Sequence, residues 1–303
     1  MNSEKLHHAC KLDAAGVIPG RNESADEFFR RAQNIFDVQR QLANSLALDG
    51  RTQIFDGIGI SNECKVEDSF LAGARELTWK LYAFKVEHIP GFFLSGSVGL
   101  LWGGCMISDP DIDLAVFFLR SAFKNKEKWL FYSRTELGAH ELCHSARTAI
   151  NDPELEEYFA YATSSSKLRR YLGNCFIRDI DALFFIIPVL LLPVAQFLQL
   201  MFFPRMWIFP FWLAAFAYPC YLLLRNAASR KKVNRARRVL QKCGVQSAEA
   251  VLFRSTADEL KEIGSFNTKE QLISYINSKA ADELRWQVIS ERFIKCEDVQ
   301  ENG

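Results

Sequence analysis

Histidine is scarce in this chain: there are five in 303 residues, and none follows His144. A third imidazole downstream of that point is therefore excluded as a metal ligand. Cysteine is present but unpatterned. The eight residues are scattered and form no Cys-x-x-Cys pair, so in a cytoplasm-facing protein they are expected as free thiols. Neither sign of charge dominates. With 37 Lys and Arg against 36 Asp and Glu, nothing points to a nucleic-acid partner. The first residues are polar and acidic, with no apolar stretch resembling a signal peptide. No internal repeat is evident.

What the chain does contain is His140-Glu141-Leu142-Cys143-His144, an HExxH motif. Positions i and i+4 share one face of a helix, so His140 and His144 can present two imidazoles to one ion. Glu141, beside them, can take a proton from a water held by that ion. The context suits a helix. Ser133-Arg134-Thr135-Glu136 has capping-box form and predicts a start at Ser133. No proline follows until Asn151-Asp152-Pro153 stops the helix near Ile150, and the single Gly138 is tolerable within it. Arg134 and Arg147 are expected to reach solvent. Cys143 falls on a different face from the histidines and reads as a small buried apolar residue.

A catalytic zinc usually keeps three protein ligands and one water. The lack of a later histidine excludes the metzincin arrangement. The next segment offers Glu154, Glu156 and Glu157, then Tyr158-Phe159-Ala160-Tyr161. HExxH followed by a helix carrying Glu-x-x-Ala resembles the gluzincin zinc metallopeptidases, over roughly residues 130 to 162. The resemblance implies Zn2+ held by His140, His144 and Glu157, with Ala160 leaving room where two helices pack. The spacing suits the minimal gluzincins. Tyr161 departs from the aspartate common at that position in several gluzincin families, and Glu156 is an adjacent alternative ligand. Glu141 is the expected catalytic base. Tyr161, Tyr171, Arg169 and His88 are candidate donors to an oxyanion. His7 and His8, near the start, are expected to be exposed.

The second strong feature is apolar. Leu183 to Phe203 carries no charge and is long enough to cross a hydrocarbon core, for which roughly 20 residues suffice. After Pro204-Arg205-Met206, Trp207 to Leu224 is again uncharged. Trp207, Trp212, Tyr218 and Tyr221 suit interfacial depths, and Pro188, Pro193, Pro210 and Pro219 are tolerated in membrane helices. These stretches predict a two-span transmembrane hairpin. Lys167, Arg169, Arg170 and Arg178 precede it; Arg225, Arg230, Lys231, Lys232, Arg235, Arg237 and Arg238 follow; its turn holds only Arg205. The positive-inside rule then places both termini in the cytoplasm. The basic run Arg225 to Arg238 is read as an orientation signal and a contact for anionic membrane lipids.

The rest of the chain organises around these features. Residues 1–22 are expected as a flexible lead. Residues 23–85 read as helical, with a capping box at Ser24 opening a helix to about Leu46 and another helix at Asp68 to Leu81. Residues 86–178 hold the zincin-like catalytic region. Within it, Pro90-Gly91-Phe92-Phe93 and Leu100-Leu101-Trp102-Gly103-Gly104-Cys105 are apolar and glycine-punctuated, Ser108-Asp109-Pro110-Asp111 is a turn and Ile112 to Leu119 is rich in β-formers, which together predict a short antiparallel hairpin just ahead of the HExxH helix. The gluzincin resemblance implies, by position, that Ile112 to Leu119 is the edge along which a peptide substrate pairs. Residues 179–225 form the membrane hairpin, and 226–303 a basic juxtamembrane segment and a small helical unit, with capping boxes at Thr256 and Thr268 and a polar, disordered end. The fold class is thus mainly α (α+β). The expected function is a membrane-bound zinc metallopeptidase, against the alternative of a non-catalytic membrane scaffold with a structural HExxH helix.

Overall fold

The computed structural model describes residues 1–55, 58–94, 102–109, 113–130 and 132–294. Leu100-Leu101, the Pro110-Asp111 turn, Ile112 and the polar end from residue 295 lie outside the described residues. The described part is mainly helical with small sheets.

The lead is structured. α1 (Ser3–Ala14) is capped by Asn2 and buries Ala9, Leu12 and Asp13. Asp13 explains why it is held. Its carboxylate is fully buried and accepts from Arg254 at 2.9 Å and 3.0 Å, and also from Arg292. A charge buried that deeply has to be paired, so the chain start is pinned to its end. Ala9 and Leu12 pack with Phe28, Leu284 and Val288.

α2 (Ala25–Asp49) starts at the expected capping box, with Ser24 and Glu27 bonded reciprocally. A small hairpin follows, β1 (Arg51–Ile54) with β2 (Ile58–Ser61). α3 (Asp68–Tyr82) then leads to a three-stranded sheet. Its strands are β3 (Gly91–Leu94), β4 (Gly104–Asp109) and β5 (Leu114–Arg120), in the order β3-β5-β4. The hairpin β4–β5 is antiparallel as expected, and β3 joins β5 in parallel. β5 is therefore central: both of its edges are paired, and it cannot accept a substrate strand. Its burial accounts for this, because Val116, Phe117, Phe118 and Leu119 are all covered. A strand apolar on both faces belongs inside a sheet. The edge strands are β3, which makes one isolated bridge from Phe92 to Lys65, and β4, whose outer side pairs with no other strand among the described residues.

A two-residue-strand hairpin, β6 (Lys128–Trp129) and β7 (Tyr132–Ser133), precedes α4 (Arg134–Arg147), which carries HExxH. Ser133 occupies the N-cap position but makes no side-chain cap; its hydroxyl donates to Glu127 instead, and Glu136 turns to Ser164 and Arg169. α3 and α4 pack closely. A Cβ on Gly138 would lie 3.0 Å from the Ala74 Cβ, so glycine here serves helix approach. α5 (Pro153–Tyr161) crosses α4, and α6 (Lys167–Leu172) follows.

α7 (Asp179–Met201) and α8 (Phe209–Lys242) form the apolar hairpin. Among the described residues one helix, Ile180–Met201, is long and apolar enough to cross a membrane. The expected second span is different. Residues up to Ile208 belong to the connection, so the apolar helix runs only from Phe209 to Leu224. That is about 24 Å at 1.5 Å per residue, short of a ~30 Å hydrocarbon core. The helix continues unbroken into its basic half, which packs on the soluble part. There Ser229 and Lys232 both bond Glu154 of α5 at 2.8 Å, and Arg237 pairs with Glu249.

α9 (Ala248–Phe253), α10 (Ala257–Ile263), α11 (Lys269–Asp282) and α12 (Leu284–Phe293) form the terminal helical unit. Both expected capping boxes, at Thr256 and Thr268, are present. This unit is not separate. The main buried cluster runs from Ile18 through Phe117, Leu142 and Phe159 to Trp286 and Phe293. None of the seven described cysteines is in a disulfide.

Candidate metal centre

The site is built where α4 crosses α5. His140 and His144 lie one turn apart, and α5 brings Glu157 opposite them. The two Nε2 atoms are 3.1 Å apart. Glu157 places Oε1 3.5 Å from His144 Nε2 and Oε2 3.7 Å from His140 Nε2. Bonds of ~2.0–2.1 Å at tetrahedral angles put ligand atoms ~3.3 Å apart, so this triangle fits one first-row metal ion. His140, His144 and Glu157 are the group among the described residues that could hold a metal ion.

The two glutamates face different nitrogens of His144. Glu156 approaches the far side of the His144 ring, with Oε1 3.2 Å from Nδ1. Its other oxygen accepts from Arg147 Nε, also at 3.2 Å. It orients the imidazole and leaves Nε2 directed at the centre, the role a carboxylate plays behind a ligating histidine. The His140 ring in turn hydrogen-bonds the Ala160 backbone. Ala160 is fully buried under α4, in keeping with the small residue expected there.

Arg147 was expected in solvent and is instead completely buried. It bonds Glu156, Asp152 and the Phe253 carbonyl, and its guanidinium lies 4.7 Å above the Phe159 ring. It sits three residues beyond His144, on the turn that meets α5. Only the α4–α5 crossing turns that position inward. Arg134 is also mostly covered, lying 4.2 Å above Phe70 and paired with Glu127.

Glu141 points to the free sheet edge. The Met106 N–H of β4 donates to its Oε2 at 2.9 Å. Its carboxylate is thus held beside the metal triangle without joining it. The edge expected at Ile112 to Leu119 is not one where the strand is described, because β5 is paired on both sides; β4 lies at an edge of the sheet.

The electrostatics follow from burial. Burial drives the His140 imidazole down to about 3, reinforced by His144. Burial also opposes charge on His144, but the Glu156 hydrogen bond and the Glu157 charge outweigh it and raise its pKa. Burial pushes Glu141 up to about 7, and raises Glu157 as well. A bound cation inverts this logic, favouring neutral imidazoles and ionised carboxylates. Cys143 is fully buried behind the motif, and burial pushes its thiol well above the ordinary range.

Two cavities flank the centre, one on either side, and Glu141 lines both. The cavity on the His140 side holds about 230 Å³ and is bounded by Trp102, Tyr132, Tyr161 and Arg169. The cavity on the His144 side holds about 370 Å³ and is walled by Ile35 and Gln39 of α2, with His88, Met106 and Leu114. Of the four expected donors, Tyr161 is nearest the chemistry: its ring meets His140 edge-on, centroids 4.6 Å apart. Arg169 lines the same cavity but is paired with Glu136 at 2.5 Å. His88 lies in the other cavity, packed on Phe36, and burial lowers it to about 4. Tyr171 is exposed beneath Arg230 and lines neither cavity. Tyr132 was not anticipated; nothing in its sequence surroundings marks it. His7 and His8 are exposed, as expected.

Compared with known protein families, curated proteins and solved structures, the chain matches none of them.

Proposed function

We propose that this chain is a membrane-anchored zinc metallopeptidase of gluzincin type. The observation that carries the reading is the joint placement of three groups. Two imidazoles and a carboxylate converge on one point, a further carboxylate stands beside them unliganded, and a free strand edge runs alongside. The donor set of two His and one Glu is that of catalytic zinc.

In this reading, a peptide lies extended along β4, with main-chain pairing supplying affinity and the two cavities taking side chains. Zinc, when bound, supplies Lewis acidity to the scissile carbonyl and lowers the pKa of its water. Glu141 accepts the proton from the attacking water and delivers it to the departing amine. Glu156 holds His144 in the tautomer that offers Nε2, and Arg147 fixes the Glu156 carboxylate in place. Tyr161 is placed to donate to the oxyanion as the carbonyl carbon becomes tetrahedral.

The anchor is the α7–α8 hairpin. We place it in the bilayer from the cytoplasmic side, with both termini and the metal cleft in the cytoplasm, because the basic residues flank its base and only Arg205 sits at its tip. α7 spans, and the shorter apolar half of α8 returns beside it with local thinning of the bilayer.

Elemental analysis of detergent-purified protein tests the centre. About one zinc per chain in wild type, lost in both His144→Ala and Glu157→Gln, supports it. A folded wild type that takes up no zinc when zinc is supplied refutes it. A peptide-library digest against Glu141→Gln then separates a peptidase from a scaffold, which would be indifferent to that change.

A further inference from the structure

We infer that α6 and the turn after it form a lipid-contacting face, which lays the rim of the metal cleft against an anionic bilayer surface. The evidence begins with what α6 exposes. In Lys167–Leu172, Leu168 is 68% exposed, Tyr171 43% and Leu172 40%, and Phe176 just beyond is 44% exposed. At about 100° per residue, Leu168, Tyr171 and Leu172 share one face of the helix. Arg170 and Lys167 lie on the other side and are exposed too. An apolar face turned outward in a short helix, fringed by cations, is the pattern of an interfacial segment.

Its depth agrees. The end of α6 is fastened to α8, where Asn226 donates to the Tyr171 carbonyl at 2.6 Å and Arg230 lies 4.9 Å above the Tyr171 ring. The apolar half of α8 ends at Leu224. At 1.5 Å per residue, Asn226 and Arg230 stand ~3–9 Å beyond it, which is the headgroup region. The exposed face is also continuous with the membrane helix: Phe176 stacks edge-on against Phe185 of α7, 5.5 Å between centroids. Lys167, Arg170 and Arg178, all exposed on α6 and the segment just after it, fringe it with positive charge. Anionic phospholipid complements both the charge and the apolar face.

The same helix reaches the metal cleft from its inner side. Arg169 lines the cavity on the His140 side and pairs with Glu136 of α4, and the Thr163–Ser164 turn into α6 completes that wall. The lipid contact therefore rests on the membrane placement of α7 alone. Its consequence for substrate rests also on the metallopeptidase reading: the cleft accepts polypeptide segments lying at the membrane surface rather than peptides free in solution.

The test is photocrosslinking of the full chain in nanodiscs of phosphatidylcholine and phosphatidylserine. Benzoylphenylalanine replaces Leu168, Leu172, Leu190 or Leu48 in turn, and adducts are read by mass spectrometry. Leu190 lies mid-way along α7, and Leu48 is 85% exposed on α2. Lipid adducts at Leu168 and Leu172 in yields comparable with Leu190, and none at Leu48, support the contact. Adducts at Leu190 alone, or chain-to-chain crosslinks at Leu168 and Leu172, overturn it while leaving the membrane anchor standing. No lipid adduct even at Leu190 overturns the anchor as well.

Discussion

His144 Nδ1 stands 3.2 Å from Glu156 Oε1, while Nε2 of the same ring faces His140 and Glu157. One imidazole thus separates two adjacent glutamates into different roles. Glu157 is placed to ligate, and Glu156 to orient. Glu157→Gln should abolish metal retention. Glu156→Gln should keep the metal and weaken it by ~10–100-fold, the usual effect of losing such an outer carboxylate. Titration against a chelator of known affinity measures both; equal losses would show that the two carboxylates share the ion.

Glu141 touches Met106 of the sheet edge and no ligand atom of the triangle. Glu141→Gln should therefore retain one metal per chain and lose turnover by ~10²–10⁴, the range for removing a general base. Metal content and peptide hydrolysis on the same sample decide it.

Arg147 has no exposure and holds Glu156 and Asp152 together, with Asp152 also accepting from the Ala257 N–H at 3.0 Å. Arg147→Met would leave two covered carboxylates without their counter-charge. A loss of about 3–5 kcal/mol is expected, the range for breaking a buried pair on one side. Denaturant unfolding in detergent, at equal metal loading, checks it. A loss no larger than that of an exposed substitution such as Arg238→Met would refute this view of the residue.

Glu259 is the acid-sensitive point of the terminal unit. Burial works to raise its pKa, but Arg285 at 2.7 Å, the Thr256 N–H and the Trp286 ring N–H outweigh it and bring it down to about 2. Because the folded value lies below the ordinary 4.5, its stabilisation is complete above that value and fades as the pH falls through about 2. Unfolding midpoints measured from neutral pH downward should show this loss in wild type. Glu259→Gln should start less stable and lose less over the same interval.

The α2 wall of the cleft gives a further expectation. Gln39 donates to the Ala115 carbonyl at 2.9 Å and, with Ile35, closes the larger cavity. Ile35→Ala should enlarge that cavity and shift cleavage toward bulkier side chains, leaving the metal content unchanged. An unaltered cleavage profile from a peptide library would place the substrate elsewhere.

Much of this was legible in the chain. Periodicity and caps are local, so Ser24, Thr256 and Thr268 open helices as they read. The i,i+4 spacing alone put His140 and His144 on one face, and the uncharged run from Leu183 supplies most of Ile180–Met201, the helix long and apolar enough for a membrane. Other features depend on partners distant in sequence. Asp13 looked like part of a loose polar start because its counter-charges, Arg254 and Arg292, lie at the opposite end of the chain. Arg147 looked solvated because the surfaces that cover it, Phe159 and Phe253, arrive from α5 and α9. β5 looked like an edge until β3 paired with it in parallel across a gap in sequence. Composition and spacing thus determined which residues could meet a metal ion and which segment could enter a bilayer. Only the tertiary structure decided that Glu157 faces the two Nε2 atoms while Glu156 faces Nδ1 of His144, that β4 is an edge strand and β5 is not, and that α6 turns its apolar side outward. The reason is physical: side-chain type and helical period act over a few residues, whereas burial and pairing are settled by whatever the fold brings alongside.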